Sequence, residues 1–151
     1  MITIERAGVA DAGEILTVQR AAYLTEAQLY GDPFIQPLVE SLDQLRTLLD
    51  GDTIILKATR DGRLVGSVRA TVQEQTCLIG RLVVVPDLQG EGIGTRLMEA
   101  VEAEVAGSVT SLVLFTGHLS AGNLKLYKRL GYAEYRRERV SDQLVLVHLR
   151  K

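Results

Sequence analysis

Residues 82–95 read Leu-Val-Val-Val-Pro-Asp-Leu-Gln-Gly-Glu-Gly-Ile-Gly-Thr, and this stretch says more about the fold than any other part of the chain. A β-branched run is cut by Pro86, and a glycine-rich turn then opens onto a segment with helical spacing of apolar residues. This order places free backbone N–H groups at the positive end of a helix, where main-chain atoms bind phosphate. Glycine is needed there because a Cβ would block both the anion and the left-handed backbone angles of the turn. The stretch therefore predicts a site for a phosphorylated ligand.

The segments on either side show strand and helix patterns in a defined order. Apolar residues recur every third or fourth position in the predicted helices, and the strands are apolar runs bounded by turn residues. Asp61-Gly62 predicts a tight hairpin between two of the strands. The predicted strands are 2–6, 53–59, 63–72, 77–85, 111–116, 132–140 and 143–149, and the predicted helices are 11–30, one from 37 through 49, 93–105 and 120–130.

The predicted order is β-α-α-β-β-β-α-β-α-β-β, which indicates a mixed α/β (α+β) sheet of six to seven strands flanked by about four helices. The unit 77–117 predicts a parallel strand pair with a right-handed crossover. The almost wholly apolar strand 111–116 is expected to be buried at the centre of the sheet. Ser120 is the predicted N-cap of the helix that follows it.

Composition and charge narrow the function classes. The chain has 151 residues with 46% apolar composition, which is typical of one globular domain over residues 1–151. The net charge of −2 and the scattered basic residues argue against nucleic acid as a partner. No apolar run approaches the ~20 residues of a membrane span, and the N-terminus does not resemble a signal peptide. Cys77 is the only cysteine, which favours a reducing, cytoplasmic location.

Three interpretations of the glycine turn compete. A nucleoside-triphosphate loop needs a lysine after its last glycine, and none follows Gly94. A dinucleotide fingerprint needs a third glycine where Thr95 stands, and an acidic residue at the end of the next strand, where residues 115–117 have none. Neither of these two interpretations fits the residues present.

Two motifs carry a third interpretation. The first is Gln89-x-x-Gly92-x-Gly94 after the Val-x-Pro strand end, and the second is Leu126-Tyr127-x-x-x-Gly-Tyr on the helix after the next strand. Together they resemble the acyl-CoA loop and the Leu-Tyr-x-x-x-Gly-Phe/Tyr signature of the GNAT N-acetyltransferase superfamily. The resemblance covers the whole chain and implies a mostly antiparallel sheet, with acetyl-CoA as co-substrate.

The resemblance also implies a role for each matching position. The backbone of one strand end would pair with the pantetheine arm, and one of its N–H groups would polarise the thioester carbonyl. The glycine loop would hold the pyrophosphate, with the Glu91 side chain turned to solvent. Family members often carry Asn where Ser120 stands here, so Asn123 or Ser120 takes that contact, unless Ser120 is only a helix cap. The implied cofactor-binding residues are Leu82, Val83, Val84, Gln89, Gly90, Glu91, Gly92, Ile93, Gly94, Thr95 and Asn123.

The chemistry needs an acid for the leaving thiolate and help for the acceptor amine. Tyr127 is the candidate general acid. An amine with a pKa of ~10.4 is almost wholly protonated at pH 7, so a base or desolvation is needed. His118 is the candidate base, with Glu74 a weaker one, and Glu26 and Tyr30 are expected near the acceptor. Cys77 lacks a partner base and is not expected to be a nucleophile, and His148 is expected to be an ordinary strand residue.

The resulting hypothesis is an N-acetyltransferase in which an amine of a small molecule or peptide attacks acetyl-CoA directly in a ternary complex. The alternative is a module that binds acyl-CoA as a sensor without chemistry. A third interpretation, acetylation of aminoacyl-tRNA, is disfavoured by the lack of a basic patch. No metal, nucleic acid or membrane is expected as a partner, and a homodimer is expected only by analogy with the family.

Overall fold

Seven strands and five α-helices make up the fold, and the computed structural model describes all 151 residues. Two short 3-10 turns lie between elements: Val9–Asp11 directly precedes the first helix, and Pro86–Leu88 lies between the fourth strand and the fourth helix. In chain order the elements are β1 (Thr3–Arg6), α1 (Ala12–Tyr30), α2 (Gln36–Val39), α3 (Leu42–Asp50), β2 (Ile54–Arg60), β3 (Arg63–Gln73), β4 (Thr76–Val84), α4 (Ile93–Val105), β5 (Ser111–Gly117), α5 (Ala121–Arg129), β6 (Ala133–Arg139) and β7 (Val145–Arg150).

The strands form one sheet in the order β1-β2-β3-β4-β5-β7-β6. Only β4 and β5 run parallel, and every other neighbouring pair is antiparallel. This arrangement confirms the predicted mixed, mostly antiparallel sheet and its parallel pair. The hairpin between β2 and β3 is also confirmed, because Asp61 (φ 52°) and Gly62 (φ 78°) both adopt the left-handed conformation that a two-residue hairpin turn requires.

The second predicted helix is two helices in the structure. Its Leu repeat is interrupted after Glu40, where Ser41 begins α3 with an extended backbone. The Ser41 hydroxyl accepts from the Gln44 N–H at 3.1 Å, and the Gln44 side chain accepts from the Ser41 N–H at 2.8 Å. This reciprocal cap satisfies two backbone donors and favours a new helix start over a continuous one. The Ser-x-x-Gln signal is present in the sequence, but the apolar periodicity obscured it.

The core lies between the sheet and the helices that cover it. α4 contributes Leu97, Met98 and Val101, which have no solvent exposure, and α1 packs against β3 and β4 on the other face. Burying a side chain of this size contributes about 1.5–3 kcal/mol relative to leaving it exposed. The glycine-rich loop that joins β4 to α4 is therefore anchored next to fully buried core residues of α4.

β5 is less buried than the sequence predicts. Leu114 is 2% exposed, but Phe115 on the opposite face is 46% exposed. The Phe115 ring lies 5.5 Å from the His148 ring on β7, and α1 packs mainly on β3 and β4 rather than on β5. An unbroken apolar run was therefore a poor guide to two-sided burial here. No helix in the chain combines the length and hydropathy that a membrane crossing requires.

Candidate functional site

The loop between β4 and α4 presents a row of unpaired backbone donors. Gly90 (φ 84°) and Gly92 (φ 85°) adopt left-handed conformations, and Gly92 is the N-cap of α4. The first intrahelical bond of α4 is Arg96 N–H to Gly92 C=O at 3.1 Å, and the N–H groups of residues 90–95 donate to no group in the protein. Free donors at the positive end of a helix bind anions. The loop has the form predicted from its glycines.

The strand before the loop has a free edge. β4 and β5 pair only through residues 76–78 and 111–113, and past that point β4 continues to Val84 without a neighbour on this side. The Val85 N–H donates to Val65 on β3 at 2.9 Å, and Val83 pairs with Ser67. Because peptide groups alternate in direction along a strand, the backbone of Leu82 and Val84 points to the open edge.

This register corrects one detail of the sequence-based hypothesis. The implied pantetheine contacts included the backbone of Val83, whose peptide groups point toward β3 instead. The gap between β4 and β5 leaves the backbone groups on this edge without a neighbouring strand. Gln89 closes the end of the edge, since its side-chain Nε2 donates to the Val84 carbonyl at 3.2 Å.

One open cleft of about 660 Å³ connects these features. It extends from the C-terminal half of α1, across the free edge of β4 and the glycine loop, to the start of α5. Of the implied cofactor-binding residues, all but Glu91 line it. Glu91 instead lies near Arg60 at 3.4 Å on the exposed side of the loop, in keeping with the expectation that its side chain faces solvent.

Two cations on α5 line the same cleft and were not singled out from the sequence. Lys125 and Arg129 are one turn apart, and Arg129 Nη2 donates to the Thr95 hydroxyl in the first turn of α4 at 3.2 Å. Asn123 also lines the cleft and donates to the Thr116 hydroxyl at 3.3 Å. The basic side chains place positive charge beside the unpaired loop donors, which suits a ligand with several phosphates.

Tyr127 is buried on the inner side of α5, with 7% of its surface exposed. Burial raises the pKa of its phenol above the ordinary value, and the nearby Tyr23 and Glu26, both of which line the cleft, raise it further. No hydrogen bond contributes to this shift, and the ring packs edge-on against Tyr132 at 6.2 Å between centroids. Burial thus keeps the phenol in its protonated form, and Tyr127 is not among the residues that line the cleft, although its neighbour Leu126 is.

A chain of hydroxyl groups orients the Glu26 carboxylate at the other side of the cleft. The Leu119 N–H donates to the Tyr30 hydroxyl at 3.0 Å, which lies 2.7 Å from Ser120 Oγ. Ser120 Oγ in turn donates to Glu26 Oε2 at 2.6 Å. Each hydroxyl therefore accepts one bond and donates one, so the direction of the chain is fixed. Ser120 is the N-cap residue of α5, as predicted, but its hydroxyl bonds to Tyr30 and Glu26 and makes no helix-capping bond.

A glycine at the end of β5 leaves room for the Tyr30 side chain in this set of hydroxyl groups. A Cβ on Gly117 would overlap the Tyr30 ring and hydroxyl, so only glycine allows the tyrosine to approach the strand this closely. Tyr30 is 5% exposed and Ser120 is 5% exposed, so the chain is shielded from water along most of its length. The sequence placed Glu26 and Tyr30 near the acceptor but gave no signal that Ser120 joins them.

His118 does not fit the base role suggested by the sequence. It lies outside the residues that line the cleft, and its Nδ1 accepts from the Val145 N–H at 3.0 Å. Because Nδ1 already accepts this bond, it is not available to a ligand in the cleft. Its ring packs against Tyr30 at 5.9 Å. The geometry favours a structural contact between β7 and the turn after β5.

The weaker candidates are distant from the cleft. Glu74 lies in the exposed turn between β3 and β4 with φ 57°, and Cys77 is fully buried in the core. His148 lies 3.1 Å from Glu138 across the β6–β7 pair. None of the three lines the cleft.

Comparison with known proteins identifies the family. The family profile described as an acetyltransferase (GNAT) domain matches residues 21–151. The chain therefore belongs to the GNAT acetyltransferase family. A curated relative, the IAA acetyltransferase of Azospirillum brasilense, is 33% identical over 93 residues, or 60% of this chain. The match spans 61% of the length of that relative.

Solved structures share the whole fold. PaiA N-acetyltransferase from Thermoplasma acidophilum, in complex with coenzyme A, has a TM-score of 0.77 at 17% identity, with 98% of each chain covered. The yncA protein of Salmonella typhimurium, with its cofactor acetyl-CoA, has a TM-score of 0.80 at 18% identity, covering 100% of this chain and 93% of its own. At these identities the likeness extends to the fold alone.

Proposed function

We propose that this chain acts as a single-domain N-acetyltransferase that moves the acetyl group of acetyl-CoA to a primary amine in a ternary complex. The observation that carries the proposal is the continuity of one cleft from the unpaired N–H groups of residues 90–95, along the free edge of β4, to the oriented carboxylate of Glu26. PaiA with coenzyme A and yncA with acetyl-CoA, which share this fold, support the choice of co-substrate.

In this proposal the loop amides of residues 90–95 bind the diphosphate of CoA. Lys125 and Arg129 add positive charge at the same end of the cleft. The pantetheine arm would bind along the open edge of β4, where the Leu82 backbone and the Val84 N–H face no other strand and the Val84 carbonyl accepts only from Gln89. A backbone N–H of this edge would also donate to the thioester carbonyl as negative charge develops on its oxygen. Asn123, which lines the same cleft, would contact this arm.

Glu26 takes the role of base in place of His118. The acceptor nitrogen attacks the thioester carbon, a C–N bond forms, and the nitrogen must lose a proton as it does so. The Ser120 hydroxyl occupies Glu26 Oε2, which leaves Oε1 free to accept that proton directly or through one water. The hydroxyl chain holds the carboxylate in one orientation, so little reorganisation is needed when the carboxylate accepts the proton.

Tyr127 takes the role of acid. When the C–S bond breaks, the electron pair remains on sulfur, and the phenol donates a hydrogen bond or its proton to the thiolate. A thiol has a reference pKa near ~8.5, below that of phenol near ~10, so a hydrogen bond to the developing charge accounts for most of the stabilisation. Burial of Tyr127 keeps this hydroxyl neutral until it is needed.

Two measurements test the proposal together. Isothermal titration with acetyl-CoA should give saturable binding, and an amine screen with thiol-release detection and mass spectrometry should give N-acetyl products with matching free CoA. Binding with no thiol release from any amine would support the sensor alternative instead. No heat and no thermal stabilisation at millimolar acetyl-CoA would refute both.

The proposal also includes a cytoplasmic location. Cys77 is the only cysteine, and in the structure it is a free thiol with no solvent exposure. Proteins of reducing compartments rarely contain disulfides, and a free buried thiol is stable there. Fractionation of expressing cells is the direct check, and light scattering of the purified protein checks the expected homodimer.

A further inference from the structure

The end of the cleft around Glu26 has exposed apolar side chains that the proposed chemistry does not use. Ala22, Glu26 and Leu29 line the cleft from α1 at positions i, i+4 and i+7, which fall on one face of a helix. Leu119, in the turn between β5 and α5, lines the same cleft. Leu29 is 43% exposed and Leu119 is 47% exposed, so both present apolar surface to a molecule that occupies this end.

Both leucines are held close to Glu26 by the fold. Leu29 lies one turn after Glu26 on α1, and residues three apart on a helix have Cβ atoms about 5–6 Å apart. Leu119 directly precedes Ser120, whose hydroxyl donates to Glu26 at 2.6 Å. The Leu119 N–H also donates to the Tyr30 hydroxyl at 3.0 Å, which fixes the turn against α1. The carboxylate proposed as the base therefore has two leucines beside it.

The only charge at this end of the cleft is negative. Among the lining residues that α1 and the 119–120 turn contribute, Glu26 alone has a charged side chain. The lining cations Lys125 and Arg129 belong to α5, and Arg129 bonds to Thr95 beside the phosphate-binding loop. An alkylammonium ion therefore matches this end by charge. A carboxylate next to the acceptor amine would instead face the Glu26 carboxylate, with no cation there to offset the repulsion.

The hydroxyl groups beside Glu26 are already used. The Tyr30 hydroxyl accepts from Leu119 and lies 2.7 Å from Ser120 Oγ, which in turn donates to Glu26. An amide or hydroxyl next to the acceptor amine would lose water against the leucines without gaining these groups as partners, which weakens binding. An apolar substituent has no such loss, and its removal from water favours binding.

We propose that the preferred acceptors are small primary amines with an alkyl or aryl substituent, which bind with the ammonium group against Glu26 and the apolar substituent against Leu29 and Leu119. This substrate class rests on the proposed acetyltransferase function. One alkylammonium ion and one acetyl-CoA give one N-substituted acetamide, one CoA thiol and one proton released to water, so no other reactant is needed. Amino acids and polar amines are poor acceptors for the reasons of charge and desolvation given above.

The test compares acceptors that share an amine and differ in their substituent. The alkyl series is methylamine, n-butylamine and n-hexylamine. n-Hexylamine is matched with 2-(2-aminoethoxy)ethanol, a polar amine of the same length, and with 2-aminoheptanoate, which adds a carboxylate to its amine carbon. A tetrapeptide that begins with leucine represents a peptide acceptor. Binding to the CoA-saturated protein is measured by titration, and kcat/KM with acetyl-CoA by thiol release.

We expect kcat/KM to rise by about threefold for each added methylene, close to the factor that burial of one CH₂ provides. n-Hexylamine should exceed each of its matched partners by about tenfold or more in both binding and kcat/KM. The leucine peptide should also be a weaker acceptor than n-hexylamine.

The variants Leu29→Ala and Leu119→Ala test the two residues directly. Each should lower the affinity and kcat/KM for n-hexylamine by about tenfold, and the loss should shrink as the alkyl chain shortens. The matched control is Leu24→Ala, because Leu24 lies on the same helix, is 55% exposed and does not line the cleft. It should behave as the wild type with every amine. All three leucines are exposed, so the Tm of each variant should stay close to that of the wild type.

The outcomes separate this inference from the proposed function. Equal kcat/KM for n-hexylamine and its matched partners would overturn the inference and leave the acetyltransferase standing. The same holds if the leucine peptide is the better acceptor, or if Leu29→Ala and Leu119→Ala lose no more than Leu24→Ala. If n-hexylamine binds in a Leu29-dependent way but no amine releases thiol, the proposed function fails and the apolar amine site stands.

Discussion

Replacing Glu26 with glutamine removes the proposed base while keeping its hydrogen-bonded position. Glutamine has nearly the same volume, and its side-chain oxygen can still accept from Ser120 Oγ, which lies 2.6 Å from Glu26 Oε2. What is lost is the ability to take a proton from the attacking amine. At pH 7 an amine with a pKa of ~10.4 is ~4–5 kcal/mol from its neutral form. A positioned general base typically contributes about 10²–10⁴-fold.

We therefore expect kcat/KM of Glu26→Gln to fall by about 10²–10⁴-fold at pH 7, with the affinity for acetyl-CoA unchanged within about twofold. The deficit should narrow as the pH approaches ~10, since the amine then arrives already neutral. The assay is steady-state thiol release between pH 6 and 10, with titration of acetyl-CoA into each variant.

The matched control is Glu14→Gln, which removes an exposed carboxylate from the first turn of the same helix. It should behave as the wild type throughout. The reasoning is refuted if Glu26→Gln retains kcat/KM within about threefold of the wild type at pH 7, or if its deficit does not change with pH. A parallel loss of acetyl-CoA affinity would assign Glu26 a structural role instead.

Three further substitutions address the acid, the loop and the fold. Tyr127→Phe should lower kcat by about 10²-fold with little change in acetyl-CoA affinity, and because burial raises the pKa of Tyr127, the wild-type rate should not decline up to pH ~10. Gly92→Val should abolish acetyl-CoA binding measured by titration, whereas Gly107→Val, at the same φ in a turn away from the cleft, should cost roughly 1–2 kcal/mol of stability and leave binding intact. Glu40→Gln should destabilise the protein by about 3–5 kcal/mol in denaturant unfolding. Burial alone would raise the pKa of Glu40, but the hydrogen bonds from Arg69 and Gln19 have the larger effect, and the net pKa is lowered. The wild type should therefore lose the stability that ionised Glu40 contributes as the pH falls below ~4.3.

The parts of the site that depend on local backbone were predictable from the sequence. The glycine loop and the start of α4 follow from conformational limits within a few residues, since Gly90 and Gly92 alone relieve the strain of left-handed angles. The same holds for the Asp61-Gly62 hairpin. The parallel strand pair followed from connection rules that hold for nearly all such units.

The hydrogen bonds that join Tyr30, Ser120 and Glu26 could not be predicted, because these residues are far apart in the sequence. Ser120 and Glu26 are 94 positions apart, and Ser120 and Tyr30 are 90 apart. A serine before a helix is ordinarily a cap, and only the tertiary hydrogen bonds to Tyr30 and Glu26 show that its hydroxyl is used elsewhere. The left-handed backbone of Arg81 (φ 51°) was likewise hidden, since nothing in the adjoining β-branched run signals it.

The most direct test of the central claim is the backbone amide spectrum of ¹⁵N-labelled protein during titration with CoA. We expect the largest saturable shifts at the amides of residues 90–95, whose N–H groups have no partner in the protein, and at Leu82 and Val84 on the open edge of β4. Gly107, a glycine with the same φ outside the cleft, should not shift. Saturable binding of CoA that leaves the amides of residues 90–95 unperturbed would contradict the account.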